Sequence, residues 1–229
     1  MNLLLTNDDG IDAPGLQALL VAVRQLGVVH VVAPASGHSG CGHRVTTDAP
    51  IRVHRLTESR FAVEGTPADC VRVALHELAT ATNWVLAGIN AGGNLGADVY
   101  HSGTVAAVRE AALHGRAGIA VSHYRRRGVA FDWDRAAVLI LPVLRDLLLR
   151  PLPPESFWNV NLPHVAADAP DPAVVFCPLD PAPLPLRFRR EGDLFHYDGD
   201  YHGRQRTVGS DVDVCFGGNI AVTLLRLGQ

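Results

Sequence analysis

The chain has 229 residues, of which 48% are hydrophobic and 19% are charged, so it can bury one sizeable core. Its net charge of -3 provides no basic field, which argues against nucleic acid as a partner but leaves a small anionic ligand open. Every one of its 20 basic residues is arginine, which excludes lysine-dependent chemistry such as a P-loop lysine or a Schiff base.

The first part of the chain alternates between strand and helix patterns. Pro14 marks the first turn of the first helix, Thr66 caps the second, Thr104 is expected to cap the third, and Pro142 is expected to interrupt the fourth. Apolar strands that alternate with helices predict an α/β fold with a mostly parallel sheet covered on both faces. The predicted elements, in order, are "NLLLT", "PGLQALLVAVRQLG", "VVHVVAP", "TPADCVRVALHELA", "WVLAGI", "TVAAVREAALHG", "AGIAVS" and "WDRAAVLILPVLRDLLLR".

The character of the sequence changes after residue 150, because ten of the 15 prolines lie between Pro151 and Pro185. Proline excludes regular helix, so extended segments are expected there, with strands at "FWNVNL" and "AVVFC" and a hairpin-like stretch at "DLFHYDGDYHG". The segment "GSDVDVCFGGNIAVTLLRL" predicts a short capped helix and a final strand. We therefore expect an α/β core over residues 1–150 and a segment over 151–229 that completes the same domain.

The cysteines and the apolar segments bear on the location of the protein. The four cysteines are widely spaced, form no CxxC pair and follow no secretory leader, so we expect reduced thiols in the cytoplasm. The stretch "AAVLILPVL" is too short to span a bilayer, and no membrane partner is expected.

Three polar loops follow predicted strands, at the sheet edge where parallel α/β proteins bind ligands. The first, "NDDG", holds Asp8 and Asp9. Adjacent carboxylates repel each other unless a cation or a proton intervenes, so they indicate a hard divalent ion such as Mg2+ or Mn2+. The alternative is an ordinary cap and turn before Gly10.

The second loop, "APASGHSGCGHR", allows several interpretations. Ser39 could be an oxygen ligand, or a nucleophile paired with His38 or His43 in a serine esterase, although the segment only nearly matches the G-x-S-x-G motif. His38, Cys41 and His43 could alternatively be soft metal ligands or could simply pack the loop.

The third loop, "GINAGGNLGADVYHSGT", offers Asn90 and Asn94 and then opens a helix at Ser102, Gly103 and Thr104. Free amides and hydroxyls at a helix N terminus can hold a phosphate without lysine, which suits a chain that has none. The alternative is that Ser102 and Thr104 only cap the helix.

Five segments together resemble the SurE family of nucleotidases, in the order and spacing of that family. They are "LLLTNDDGIDAPG", "VVAPASGHSG", "VEGTPADCV", "GINAGGNLG" and "VYHSGTVAAVREAALHG". This chain departs from the usual family pattern at His38 and Gly93. The resemblance implies a Rossmann-like three-layer αβα fold with a C-terminal β-hairpin extension.

The resemblance also implies a metal-dependent phosphomonoesterase, a 5'-nucleotidase that acts on nucleoside 5'- and 3'-monophosphates and also on short polyphosphate. One divalent ion per subunit would be Mg2+ or Mn2+, with Ca2+, Co2+ and Ni2+ as further candidates. Its ligands would be Asp8, Asp9, Ser39 and Asn90, with Asp8 and Asp9 as the catalytic pair. Asn94, Ser102, Gly103 and Thr104 would bind phosphate. The family further implies a homodimer or homotetramer, with residues 151–229 at the dimer interface. A nucleotide-binding module without catalysis remains the alternative on the same fold.

Overall fold

The computed structural model describes residues 1–126, 128–166 and 169–228 of the chain. Arg127, which belongs to an arginine run expected in a solvated loop, lies outside the described residues. The strands are β1 Asn2–Thr6, β2 Val28–Pro34, β3 Val53–Arg55, β4 Arg60–Val63, β5 Trp84–Asn90, β6 Ala117–His123, β7 Ser156–Leu162, β8 Val174–Phe176, β9 Phe188–Glu191, β10 Leu194–Tyr197 and β11 Ile220–Arg226. The α-helices are α1 Pro14–Val23, α2 Pro67–Val73, α3 Gly103–Leu113, α4 Trp133–Leu149 and α5 Asp211–Phe216.

Nine strands form one sheet in the order β3-β4-β2-β1-β5-β6-β7-β11-β8, and β9 pairs with β10 in a separate hairpin. The strands from β4 to β7 in this order pair in parallel, while β3 and β11 run antiparallel to their neighbours β4 and β7. From β1 the chain adds β2 on one side, toward one edge of the sheet. From β5 it adds β6 and β7 on the other side, toward the opposite edge. The strand order therefore reverses between β1 and β5, and the predicted α/β class is confirmed.

Helices cover both faces of this sheet. Leu3 and Leu5 pack in the same core cluster as residues of α1 and α4, whereas Leu4 packs in the cluster that includes residues of α2 and α3. All three leucines are fully buried, because a central parallel strand has no solvent-facing side. None of the helices in the described part of the chain is long and apolar enough to cross a membrane.

Several local predictions need correction. The fourth helix is not interrupted at Pro142; α4 continues through it, and Val138, four residues earlier, is 68% exposed. The carbonyl group that the proline leaves without a helical partner therefore lies on the solvent side, where water can bind it. Ser102, not Thr104, is the N-cap of α3. The hairpin lies at Phe188–Glu191 and Leu194–Tyr197, earlier than "DLFHYDGDYHG" indicates, and β3 and β4 were not predicted.

Candidate active site

A cleft of about 690 Å3 lies at the carboxyl ends of the strands, where the strand order reverses. The three polar loops meet there: residues 7–13 after β1, residues 35–52 after β2, and residues 91–102 after β5. The predicted site residues among its lining are Asp8, Asp9, Ser39, Asn90, Asn94 and Ser102. This position is the one at which doubly wound α/β proteins bind their ligands.

Asn7 builds the turn that presents the two aspartates. Its side chain is fully buried and donates from Nδ2 to the Gly10 carbonyl at 2.8 Å, while its Oδ1 accepts from the Gly10 amide at 3.2 Å. Gly10 has a φ of 108°, a conformation that side-chain-bearing residues rarely adopt. The "NDDG" sequence therefore fixes the turn with its first and last residues and leaves Asp8 and Asp9 to face the cleft.

Asp8 is the more buried of the two carboxylates, with 4% of its surface exposed. The Thr104 hydroxyl donates to its Oδ1 at 2.5 Å. Burial raises the pKa of Asp8 to about 6; the Thr104 hydrogen bond opposes this rise and the charge of Asp9 adds to it. The carboxylate thus lies where positive charge would relieve both its desolvation and its repulsion from Asp9.

Asp9 and Asn90 link the first loop to the third. Asp9 Oδ2 accepts from the backbone amide of Ala91 at 3.0 Å. Asn90, the last residue of β5, donates from Nδ2 to the Gly92 carbonyl at 2.8 Å. Its Oδ1 has no hydrogen-bond partner among the described residues and is available as a ligand.

Ser39 is exposed on the second loop and lines the cleft. The fully buried Asp69 of α2 holds the far end of this loop. It accepts from the Thr46 amide and hydroxyl, each at 2.8 Å, and from the Thr66 amide at 3.0 Å. Burial on its own would raise the pKa of Asp69, but these hydrogen bonds hold it below its ordinary value.

Replacing Asp69 by asparagine is expected to lower the free energy of unfolding at pH 7 by about 1–2 kcal/mol, because one carboxylate both caps α2 and anchors the second loop. The lowered pKa means that this stabilisation is present above the unfolded pKa, near 3.8, and is lost as the pH falls through the folded pKa. Urea unfolding from pH 7 to pH 3 checks this. Asp48→Asn, an exposed position in the same loop, is the control; a difference between Asp69→Asn and wild type that does not shrink on acidification would contradict the assignment.

Ser102, Gly103 and Thr104 begin α3 beside Asp8. The Ser102 hydroxyl oxygen accepts from the Val105 amide at 3.0 Å, so its proton remains available for a ligand. A Cβ at Gly103 would lie 2.9 Å from both Asp8 Cβ and Cys41 Sγ, which shows how closely the helix approaches the carboxylate. The Thr104 side chain is fully buried against Asp8, and its backbone amide also interacts with that carboxylate, so the phosphate contact predicted for residue 104 stays a prediction.

The other interpretations of the second loop gain no geometric support. His43 Nε2 lies 2.7 Å from Glu110 Oε2, on α3, and in the described part of the chain neither His38 nor His43 forms a hydrogen bond with Ser39. The described residues also contain no group of three or more His, Cys, Asp or Glu side chains arranged to hold a metal. Neither a serine nucleophile paired with histidine nor a soft metal centre is therefore assembled here.

The donor set in the cleft suits a hard divalent cation. Asp8 and Asp9 provide carboxylates, Ser39 a hydroxyl, and Asn90 an amide oxygen without a partner among the described residues. Oxygen donors of this kind favour Mg2+, Mn2+ or Ca2+ over structural zinc.

Asn94 lines the cleft, and hydrogen bonds to neighbouring strands hold it in place. Its backbone amide donates to Asn161 Oδ1 at 2.8 Å, and its side-chain Nδ2 donates to Ser122 Oγ at 2.7 Å. Its side-chain oxygen and the second proton on Nδ2 have no partner among the described residues and are left for a ligand. The prediction that it contacts phosphate stays a prediction.

Several residues that line the cleft were not among the predicted site residues. Tyr124 and Arg125 directly follow β6, and Tyr201 and His202 follow the hairpin. Tyr201 donates from its hydroxyl to Asp98 Oδ2 at 2.6 Å, and Tyr124 Oη lies 2.7 Å from His202 Nδ1. The arginine run after β6 was a usable signal for Arg125, but no local pattern indicates that the distant 201–202 segment folds back onto the cleft.

Comparisons with known proteins identify the family and the fold. The family model described as "Survival protein SurE" matches residues 3–179. A Nostoc protein provisionally named a 5'-nucleotidase is 56% identical over 227 residues, 99% of this chain and 100% of its own length. The 5'-nucleotidase SurE of Geobacter sulfurreducens is 46% identical over 169 residues, 73% of this chain and 64% of its own length. The crystal structure of the SurE protein from Aquifex aeolicus has a TM-score of 0.87 and 28% identity, covering 99% of this chain and 94% of that one.

Proposed function

This chain belongs to the SurE family, and we propose that it is a metal-dependent phosphomonoesterase that hydrolyses nucleoside 5'- and 3'-monophosphates, with short-chain polyphosphate as a further substrate. The observation that carries the proposal is the pair Asp8 and Asp9 in one cleft with the N terminus of α3. Two carboxylates would repel a phosphate unless a cation lay between the carboxylates and the phosphate. The relatives named 5'-nucleotidase SurE support the nucleotide as the substrate.

Asp8, Asp9, Ser39 and Asn90 would hold one divalent ion, Mg2+ or Mn2+, with Ca2+, Co2+ and Ni2+ as candidates that bind similar oxygen ligands. When bound, such an ion supplies positive charge that polarises a phosphoryl oxygen and neutralises charge on the transferring group. Thr104 keeps the Asp8 carboxylate in place through its hydroxyl, and Ala91 does the same for Asp9 through its amide.

The start of α3 would hold the phosphate. In the described part of the chain the amide of Gly103 has no acceptor, as expected for the first turn of a helix, whereas the Thr104 amide interacts with the Asp8 carboxylate. The Gly103 amide and the Ser102 hydroxyl proton can donate to phosphate oxygens, and the helix dipole favours the negative charge. Arg125, exposed at the edge of the cleft, adds a cation that can attract an anionic substrate.

A substrate panel tests this proposal. Purified protein is assayed against nucleoside 5'- and 3'-monophosphates, polyphosphate and p-nitrophenyl acetate, with Mn2+, with Mg2+, and with EDTA. We expect release of phosphate from the nucleotides that EDTA abolishes and added Mn2+ or Mg2+ restores, and no metal-sensitive esterase activity. Nucleotide binding without hydrolysis under every metal condition would favour a binding module instead.

We also propose that the protein assembles as a homodimer, or as a homotetramer built from dimers, through the β9–β10 hairpin. The hairpin stands apart from the main sheet, and Leu194 and Phe195 are each 63% exposed, with Phe188 54% and Tyr197 53% exposed. A two-stranded hairpin is marginally stable alone, and apolar side chains exposed to this extent are typical of an interface.

Replacing Phe195 by aspartate is expected to shift the protein toward monomer, because a charge would be buried in the apolar interface. Light scattering coupled to size-exclusion chromatography measures the mass. Val138→Asp on α4, which is 68% exposed, is the control for an added surface charge. A wild-type protein that is monomeric at assay concentration would contradict the dimer.

A cytoplasmic location is the last part of the proposal. Cys41, Cys70, Cys177 and Cys215 are all free thiols. Thiols persist unpaired in reducing compartments, which supports the cytoplasm as the place where the protein works.

A further inference from the structure

Two fully buried asparagines interrupt the apolar sequence of β7. Asn159 and Asn161 each have 0% exposure and, being two residues apart on a strand, lie on the same face. A side-chain amide removed from water costs free energy unless it finds hydrogen-bond partners. Apart from Ser156 at the start of the strand, the other buried residues of β7 are apolar: Phe157, Trp158, Val160 and Leu162.

Both asparagines bind the main chain of Asn94, in the third loop. Asn161 accepts from the Asn94 amide at 2.8 Å and donates to the Asn94 carbonyl at 3.1 Å, so that it pairs with both backbone groups of one residue. Asn159 donates to the same carbonyl at 2.8 Å. With the bond from the Asn94 side chain to Ser122, four hydrogen bonds fasten this loop to β6 and β7.

The arrangement has a stability cost at Asn159. Its nitrogen must point at the Asn94 carbonyl, and its oxygen is then buried with no hydrogen-bond partner among the described residues. An unsatisfied buried acceptor destabilises a fold. A residue kept at such a cost is typical of a functional site.

The loop that these asparagines hold carries two parts of the candidate metal site. Asn90 precedes it at the end of β5, and the Ala91 amide within it holds Asp9 Oδ2 at 3.0 Å. Only three residues separate Asn90 from Asn94, so a shift of Asn94 displaces both. Polar groups behind metal ligands commonly set ligand orientation, and their loss typically costs 10–100-fold in metal affinity or activity.

We propose that Asn159 and Asn161 are positioning residues that clamp the loop between Asn90 and Asn94, so that Asn90 and Asp9 stay in place to bind the divalent cation. The cation rests on the proposed function, whereas the clamp can be measured without it. Asn161 supplies two of the bonds and Asn159 one, so Asn161 has the larger effect.

Hydrogen exchange tests the clamp in the metal-free protein. The Asn94 amide donates to Asn161 Oδ1, so its exchange rate, followed by NMR, reports on this contact directly. We expect Asn161→Leu, which is close to isosteric, to speed exchange at Asn94 by about 100-fold or more, since the lost bond leaves the amide unprotected. The control is Val160→Ala, a core truncation on the opposite face of the same strand, which should leave that amide protected. Equal protection in Asn161→Leu and wild type would overturn the clamp.

Titration with Mn2+, followed by calorimetry, tests the consequence for the site. We expect the Kd to rise about 10-fold or more for Asn161→Leu, by less for Asn159→Leu, and not for Val160→Ala.

Asn159→Leu should also unfold at a urea concentration no lower than wild type, because it removes the unsatisfied oxygen. A purely structural residue would instead lose stability without a change in Kd. Wild-type Kd values in both asparagine variants would overturn the positioning role. A wild-type protein that binds no Mn2+ would refute the proposed function and the link to the cation, while the exchange data would still decide the clamp.

Discussion

Replacing Asp8 by asparagine is expected to reduce kcat for nucleoside monophosphates by about 1,000-fold or more, because it removes one of the two negative charges that would hold the cation, and the cation would neutralise charge on the phosphoryl group. The folded state should survive the change. Asparagine matches the shape of aspartate, can still accept from the Thr104 hydroxyl, and places a neutral group where burial already raises the pKa of the carboxyl to about 6. Steady-state kinetics with Mn2+ and a thermal melt of the same sample measure both effects.

Asp12→Asn provides the matched control for this variant. Asp12 follows Asp8 by four residues in the first loop, but its side chain is 85% exposed and pairs with Arg60 at 2.8 Å outside the cleft. It should retain wild-type turnover. Near-normal activity of Asp8→Asn, in a protein that contains no residual wild type, would rule out Asp8 as a catalytic residue.

Replacing Thr104 by valine is expected to lower activity by about 10–100-fold, the usual cost of losing a group that orients a metal ligand. Valine has the size of threonine but cannot donate to the Asp8 carboxylate, which is 4% exposed and receives this hydroxyl at 2.5 Å. Loss of the bond also raises the pKa of Asp8 further, because the bond lowers it now. The pH at which activity falls on acidification should therefore move upward, which a pH–rate profile measures.

Thr104→Ser separates the hydroxyl from the packing of the threonine methyl group. Serine keeps the donor, so this variant should stay within a few-fold of wild type and keep its pH profile, while the valine variant does not. Equal losses in the two variants would show that residue 104 acts through packing and not through its hydroxyl.

The fold followed from the sequence because its signals are local. Apolar runs such as residues 2–6 and 84–90, each followed along the chain by a helix, are sufficient to predict parallel strands and the edge where their loops meet. The short strands β3 and β4 were not predicted, because three or four residues of mixed polarity are too few to show the alternating pattern of a strand. The prediction that Pro142 interrupts the fourth helix was wrong, because the free-energy cost of a proline in a helix depends on whether the carbonyl group left without a helical partner faces water. Only the fold determines that.

Part of the candidate site could also be predicted from local sequence, and part could not. Asp8, Asp9, Ser39 and Asn90 lie in loops that directly follow strands, so position along the chain was enough to bring them together. The sequence was enough to place Thr104 near the site but not to identify Asp8 as its hydrogen-bond partner. A threonine at the start of a helix can cap the helix, bind phosphate or hold a carboxylate in place. The support from Asn159 and Asn161 depends on a contact 65 to 67 residues away in sequence, and no local pattern contains it.

The most direct test of the proposed metal site is to soak crystals of the protein in Mn2+ and record anomalous diffraction at the manganese absorption edge. We expect one strong peak per subunit in the cleft, within coordination distance of oxygens of Asp8 and Asp9, with Ser39 and Asn90 completing the ligand set, and no such peak in crystals of Asp8→Asn. A peak elsewhere, or an empty cleft at a Mn2+ concentration that supports full activity, would contradict it.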